Sequence, residues 1–583
     1  ENAWASPQYQ NNDAKNQLKL AEIAAHKPSG QGLARFTRPD IWTVGVIIVA
    51  FMVAMPLVAV IGLALSPEEE IWRHLWETVF WGYVGNTLAL GAGVSVGTLL
   101  IGVPTAWLVT MCRFPGRGIF EWALLVPLAV PAYLIAYTYT DILEYAGPFQ
   151  ASLRDIFGWE SAKDYYFPEI RSLGGATLMF SLVLYPYIYL LARAAFLAQS
   201  VAVLEVSRTL GRTAWGTFWG VALPMARPAL VVGLALVLME TLNDFGTVEY
   251  FAVPTLTLGI FNVWLGMGSI EGAAQLASIL LIFVMILIGF ERAQRSGRGF
   301  QDTRGQFKSL VGYQLRGIRA ITASVACAAP IAFGFIVPGV ILAQYAVKFY
   351  DISLEQDVAL YALNSVILSG GAAIAAVAIA IFMAYALRLR ENKAMRGLAW
   401  IASMGYGVPG AVLAVGAVIP LTWFDNTVDG FMRSAFGIST GLLITGTMLA
   451  VMVGYVVRFL ALSFGTVEAG LGKITQSMDD AARSLGHRPF AVLRQIHLPM
   501  LRASVLTASL LVFVDSMKEL PMTLLLRPFN FETLATFVYQ FASDELLEEC
   551  ALAALAIVVV GIGPVIVLSS AIRGSRPGED RQK

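Results

Sequence analysis

Long apolar runs separated by short polar stretches dominate the chain, and their lengths predict membrane-crossing helices. A helix needs about 20 mostly apolar residues to cross the hydrocarbon of a bilayer. Runs of this kind fall at 41–65, 84–111, 119–141, 173–197, 229–245 and 272–290. They recur at 320–347, 362–387, 398–421, 437–462, 503–520 and 550–572, so the pattern predicts twelve helices, six in each half. The stretch before the first run is polar and rich in Gln and Asn, and reads as a soluble tail. No small-residue cleavage site follows the first run, which therefore reads as a span and not as a removable signal peptide.

Composition narrows the class further. Of 583 residues, 57% are apolar and 14% charged, against about 25% charged in an ordinary soluble domain. Forty Lys and Arg balance forty Asp and Glu, which removes the basic surplus a nucleic-acid binder needs. Cys112, Cys327 and Cys550 lie too far apart in sequence for a paired-cysteine metal site. Four histidines leave little for a zinc or haem centre, and His487 and His497 read as surface residues. The expected fold class is an all-α integral membrane protein.

Basic residues predict its orientation, because loops on the cytoplasmic side collect Lys and Arg. With the amino terminus inside, the inner segments hold 32 of the forty and the outer segments eight. Both termini are expected to be cytoplasmic.

The two halves repeat. Asn86, Trp122 and Pro131 recur 278 positions later as Asn364, Trp400 and Pro409. Gly211, Leu223 and Pro224 recur 275 positions later as Gly486, Leu498 and Pro499, and Thr257–Leu258 pairs with Thr533–Leu534 at 276. Six helices per copy give both copies the same orientation, related by an axis along the membrane normal. The expected organisation is a tail at 1–40, a first half at 41–291, a cytoplasmic linker at 292–319, a second half at 320–572 and a tail at 573–583.

The inner loop after the fourth helix of each half carries the most specific motif. It reads LEVSRTLGRTAWGTFWGVALP from 204 to 224 and MDDAARSLGHRPFAVLRQIHLP from 478 to 499. Each fits a short helix with an acid near its start, favoured by the helix dipole, and a glycine permitting the left-handed turn that stops it. A proline then opens the next membrane helix. Both loops resemble the cytoplasmic EAA motif of ABC-importer permeases. The matches are Glu205, Gly211, Val221, Leu223 and Pro224 in one copy, and Asp480, Ala481, Ala482, Gly486, Ile496, Leu498 and Pro499 in the other. Val206–Ser207 replaces the two alanines of the first copy. No GxxxxGK[ST] loop occurs, so the chain is expected to be a transport subunit and not an enzyme, with ATP and Mg bound by partner subunits and no cofactor of its own.

The fifth helix of each half carries acids where the membrane should be. Glu240 and Asp244 stand at i,i+4, as do Asp515 and Glu519, and the pairs are 275 positions apart. Charged groups at mid-membrane cost about 2.5–3.5 kcal/mol each on insertion scales, so the four are candidate pathway residues and transient ligands for a hard cation. They also suit a structural role, capping broken helices or pairing with Lys518 and Arg527. Tyr133, Tyr137, Tyr139, Tyr185, Tyr187 and Tyr189 offer phenol oxygens but read first as an interfacial belt. ETLNDFGTVEYF in one half and KELPMTLLLRPFNFETLAT in the other are similar to the fused permeases of ferric-iron ABC importers, over about residues 40–572. That resemblance implies two ABC ATPase subunits on the cytoplasmic side, a periplasmic ferric-iron-binding protein, and a multi-pass place in a bacterial inner membrane, with no nucleic-acid partner. A related thiamine permease and an ion-gradient-driven secondary transporter are the competing readings. Cysteines at positions 161 and 426 should react with a membrane-impermeant reagent from outside, and one at 306 should not; the opposite labelling would reverse the orientation.

Overall fold

Backbone N–H and C=O groups in hydrocarbon must find partners within their own segment, which leaves helices as the means of crossing. The computed structural model describes residues 40–574 except 67–68, 200–205, 208, 212, 297–312, 356 and 391. Among these, ten helices are long and apolar enough to cross a membrane. They are α1 (Ile41–Ala64), α2 (Phe80–Met111), α3 (Leu173–Leu197), α4 (Trp215–Asn243) and α5 (Ile270–Phe290) in the first half. The second half has α6 (Ile318–Lys348), α7 (Val358–Leu389), α8 (Gly410–Phe436), α9 (Met448–Leu471) and α10 (Leu547–Ile566).

Two further spans are bent. The run expected at 119–141 is Arg117–Ala129 followed by Ala132–Phe157 at 89°, and the run expected at 503–520 belongs to Pro489–Met500 followed by Arg502–Met517 at 77°. The first break is set by Pro131, whose extended backbone (φ −59°, ψ 143°) starts the second segment. A proline also removes the α-helical option from the residue before it. Two boundaries move as well. The run expected at 398–421 divides into Lys393–Ala402 and α8, and the run expected at 437–462 gives way to α9. Residues 437–447 form a loop held by side chains: Asp425 accepts from Ile444 and Thr445 N–H, and Asp429 from Thr440 and Gly441.

The repeat is visible in hydrogen bonds. Asn86 donates to the Pro254 carbonyl at 3.1 Å, and Asn364 to that of Glu532 at 3.0 Å. Leu256 N–H donates to Thr87 at 3.0 Å, and Leu534 N–H to Ser365 at 2.8 Å. These fix Thr255–Leu256 as the counterpart of Thr533–Leu534. The pairing with Thr257–Leu258 was out of register by two positions, because both TL pairs in TLTL match the letters equally well.

The halves exchange their first helices. α1 packs on α8, α7 and Lys393–Ala402 of the second half, while α6 packs on Ala132–Leu143 and Arg117–Ala123 of the first. Trp42 stacks on Phe382 with centroids 5.2 Å apart. Tyr139 donates to the Phe333 carbonyl at 2.7 Å, and Tyr345 to Asp141. A two-residue parallel pairing of Cys112–Arg113 with Tyr313–Gln314 ties the start of the second half to the first. Where α1 crosses α8, Gly416 lies against the Pro56 carbonyl, and a β-carbon there would run into it. Gly430 on the same helix has open space around it. Gly416→Ala should therefore lower the unfolding temperature by the equivalent of about 1–3 kcal/mol. Gly430→Ala should be neutral or stabilising, and equal behaviour of the two would contradict this crossing.

Candidate functional site

Gly211 and Gly486 take φ +79° and +80°, the left-handed conformation that favours glycine. Gln476–Ser484 forms the helix before the second turn, ending where Gly486 N–H donates to the Arg483 carbonyl at 2.9 Å. Asp480 and Ala481 are exposed on it and Ala482 is buried. Glu205 lies outside the described residues.

Two expectations for these loops fail. The prolines do not open the next helix. Pro224 lies inside the continuous α4, just after a π-helical turn at Phe218–Ala222, and Pro499 follows one at Leu493–His497. The wider turn accommodates the missing donor and ring of a proline inside a helix. His487 is exposed, but His497 is fully buried. His497 Nε2 lies 2.7 Å from Asp479, which also forms an ion pair with Arg388 at 2.6 Å. Arg388 donates further to the carbonyls of Leu471 and Ile474, so the end of α7 is fastened to this loop. Burial opposes ionisation of Asp479, but the hydrogen bonds from Arg388 and His497 outweigh it and hold the carboxyl below its usual range. The first half has Trp107, Phe196 and Phe218 packed at the corresponding junction, with centroids 5.0–6.4 Å apart.

The second feature is a cavity of ≈ 90 Å³ between the halves, which all four predicted acids line. α4 stops at Asp244 and Arg502–Met517 stops at Lys518. Each restarts as a short helix, Gly246–Tyr250 and Pro521–Leu526. The broken ends face each other: a β-carbon on Gly246 would lie 3.0 Å from Leu520. Asn243 accepts from Gly410 N–H at 2.6 Å, linking the break of one half to the start of α8 in the other.

Each carboxylate has its own partner. Asp244 accepts from Thr247 N–H at 2.8 Å, capping the short helix after the break. Glu519 does the same for Met522 and Thr523, both at 3.2 Å, and also pairs with Arg458 at 2.7 Å. Asp515 pairs with Lys518 at 2.9 Å, and Glu240 accepts from Tyr406 at 3.2 Å. Arg527 turns away to Glu532. Among the described residues, no group of three or more His, Cys, Asp or Glu lies close enough to hold a metal ion together. The four acids thus line one cavity without forming a chelating cluster among the described residues. They face two cations, Arg458 and Lys518, leaving carboxylates in excess.

Arg458 falls near the inner end of the run expected at 437–462. It sits within α9, 5% exposed, on the cavity wall. Its charge inside an apolar run was the signal that could have found it. The tyrosines are also placed differently. Tyr133, Tyr137, Tyr139, Tyr185 and Tyr189 are buried in the bundle, and Tyr133 and Tyr187 line the cavity. An amphipathic ring serves a membrane interface or a polar interior equally well, and packing decides which.

A duplicated helical membrane protein with a charged cavity at the junction of its halves has the architecture expected of a transporter. Residues 376–574 match the family model described as "Binding-protein-dependent transport system inner membrane component". The chain is 26% identical over 554 residues to the "Fe(3+)-transport system permease protein FbpB 2" of Haemophilus influenzae, covering 91% of this chain and 98% of that protein. It is 22% identical to the "Ferric transport system permease protein FbpB" of Actinobacillus pleuropneumoniae, covering 81% and 69%. "Molybdenum transport system permease protein ModB" of Escherichia coli strain K12 is 27% identical over 217 residues, which are 36% of this chain but 89% of ModB. Residues 376–574 thus match the binding-protein-dependent inner-membrane permeases, and the chain as a whole is similar to permeases of its own length, about twice the size of a single permease.

Arg458 and Glu519 are both buried, so removing one partner strands a charge. Arg458→Met should destabilise by about 3–5 kcal/mol, whereas Arg458→Met with Glu519→Gln, which removes the stranded charge but keeps an acceptor for Met522 and Thr523 N–H, should recover most of that. Unfolding temperatures of the purified variants measure both, and a harmless single variant would show that the pair is not buried.

Proposed function

We propose that this chain carries ferric iron inward across the bacterial inner membrane, driven by ATP hydrolysis on two partner ATPases and supplied by a periplasmic binding protein. The observation that supports the cargo is the cavity between the broken fifth helices, lined by Glu240, Asp244, Asp515 and Glu519. Carboxylates are hard oxygen ligands suited to a hard, highly charged cation. Their excess over Arg458 and Lys518 favours a cation over an oxyanion. The relatives of matching length are named for ferric transport.

A passage must bind weakly enough to release. The separate partnering of the acids meets that requirement, since no tight cluster holds the ion in place. Glu240 and Asp244 form no direct ion pair among the described residues and leave their carboxyl oxygens to the pathway. Asp515 and Glu519 are balanced by Lys518 and Arg458, so their ligand strength rises only when those pairs open. The coupling residues are Glu205, Gly211, Leu223 and Pro224 in the first half, and Asp480, Ala481, Ala482, Gly486, Leu498 and Pro499 in the second. They form the two docking elements for the ATPases, on the cytoplasmic side with both termini. ATP-driven closure of the ATPases moves the two loops and rocks the halves about the cavity. A solute gradient is not needed to drive transport in this scheme.

The test is uptake of labelled ferric ion into proteoliposomes holding the permease, its ATPases and the loaded binding protein. Uptake should require ATP, and Glu240→Gln and Asp244→Asn should each reduce it about tenfold, a loss of about 1.4 kcal/mol. ATP-dependent uptake of thiamine without iron would replace the cargo. Normal iron uptake in the double variant would make the carboxylates structural.

A further inference from the structure

We propose that an ion pair at the membrane face opposite the coupling loops latches the two halves together and holds the central cavity shut on that side. Arg171 immediately precedes Ser172, the N-cap of α3, and the first coupling loop follows the other end of that helix. The two features therefore lie at opposite faces of the membrane.

Arg171 pairs with Glu144 of its own half and with Glu545 of the other half, the second at 2.7 Å. Its guanidinium also stands 4.7 Å from the ring centre of Tyr250, the last residue of the short helix that restarts after the break. Tyr250 packs edge-on against Tyr137 at 4.5 Å, and Tyr137 lies beside Tyr133 at 5.8 Å. Tyr133 lines the cavity. Helix Ala132–Leu143 thus begins at the cavity and ends beside Glu144, with Tyr137 between them. One cation joins both halves to the aromatic residues that separate this face from the cavity.

Backbone strain marks the contact. Glu545 takes φ +61°, a left-handed conformation that side chains rarely adopt. It follows the cap of helix Leu534–Ser543 and leads into α10. In the first half, the residue that follows the matching cap and leads into α5 is Gly268, at φ +71°. Position 171 corresponds to Gly446, because Ser172 and Thr447 cap the matched helices α3 and α9. The symmetry-related junction therefore carries two glycines, and the fold forms there without a side-chain pair. A glutamate standing where glycine fits better points to a role for its carboxylate, and that carboxylate reaches across to the opposite half.

The inference rests on the rocking of the halves proposed above and is independent of the cargo. Val183→Cys places a thiol on the cavity wall. In proteoliposomes of the assembled transporter, an impermeant thiol reagent is applied to the face opposite the ATPases. Without nucleotide, adding Arg171→Gln or Glu545→Gly should each speed labelling about two- to fivefold, the range for losing an exposed ion pair. Glu545→Gly relieves the left-handed strain and should keep the unfolding temperature, so faster labelling there is not loosening of the fold. Arg171→Glu with Glu545→Arg leaves one cation facing two carboxylates, and should return labelling to the rate of Val183→Cys alone. Unchanged labelling in both single variants, or fast labelling in the exchanged pair, would overturn the latch while leaving the rocking intact. If trapped ATP fails to expose the thiol of Val183→Cys on this face, the rocking fails and the latch with it.

Discussion

The structure turns on the two interruptions of the fifth helices at Asp244 and Lys518. A helix broken inside hydrocarbon exposes backbone donors and acceptors that no lipid can satisfy, so a break survives only where polar groups are brought to it. Here Asp244 and Glu519 accept from the first N–H groups of the restarted helices. Those carboxylates in turn need a polar surrounding, and the duplication provides one by facing the two breaks toward each other. The cavity, its excess of carboxylates and the burial of Arg458 all follow from that arrangement.

The exchange of first helices gives the arrangement its rigidity. α1 and α6 each lie against the opposite half, so the two halves are interlocked. The two loop junctions differ, however. The second is fastened by the buried Arg388–Asp479–His497 network, and the first by packed Trp107, Phe196 and Phe218. An ionic link holds a fixed geometry through directional hydrogen bonds, whereas an aromatic cluster tolerates small sliding.

Most spans were legible because length and apolarity are local properties of the chain. The four acids were legible for the opposite reason, since a charge in an apolar run is costly and therefore conspicuous. What escaped depends on distant partners. His497 looked like a surface residue because Asp479 and Arg388 stand 18 and 91 or more positions from their mates in the network. The loop at 437–447 looked like membrane because its Ile and Leu are apolar, while the carboxylates that fold it, Asp425 and Asp429, come from α8. The bend after Ala129 was hidden because both of its arms are apolar. The π-helical turns before Pro224 and Pro499 leave no mark in composition at all.

Alternating exposure of the central cavity is the most direct consequence of this account. Val183 lines it from α3, and a cysteine there reports which side of the membrane reaches the cavity. In the assembled transporter, Val183→Cys should react with an impermeant thiol reagent from the cytoplasmic side without nucleotide. With ATP trapped on the ATPases, it should react only from the outer side. Reactivity from the same side in both states, or from neither, would contradict a pathway between the broken helices.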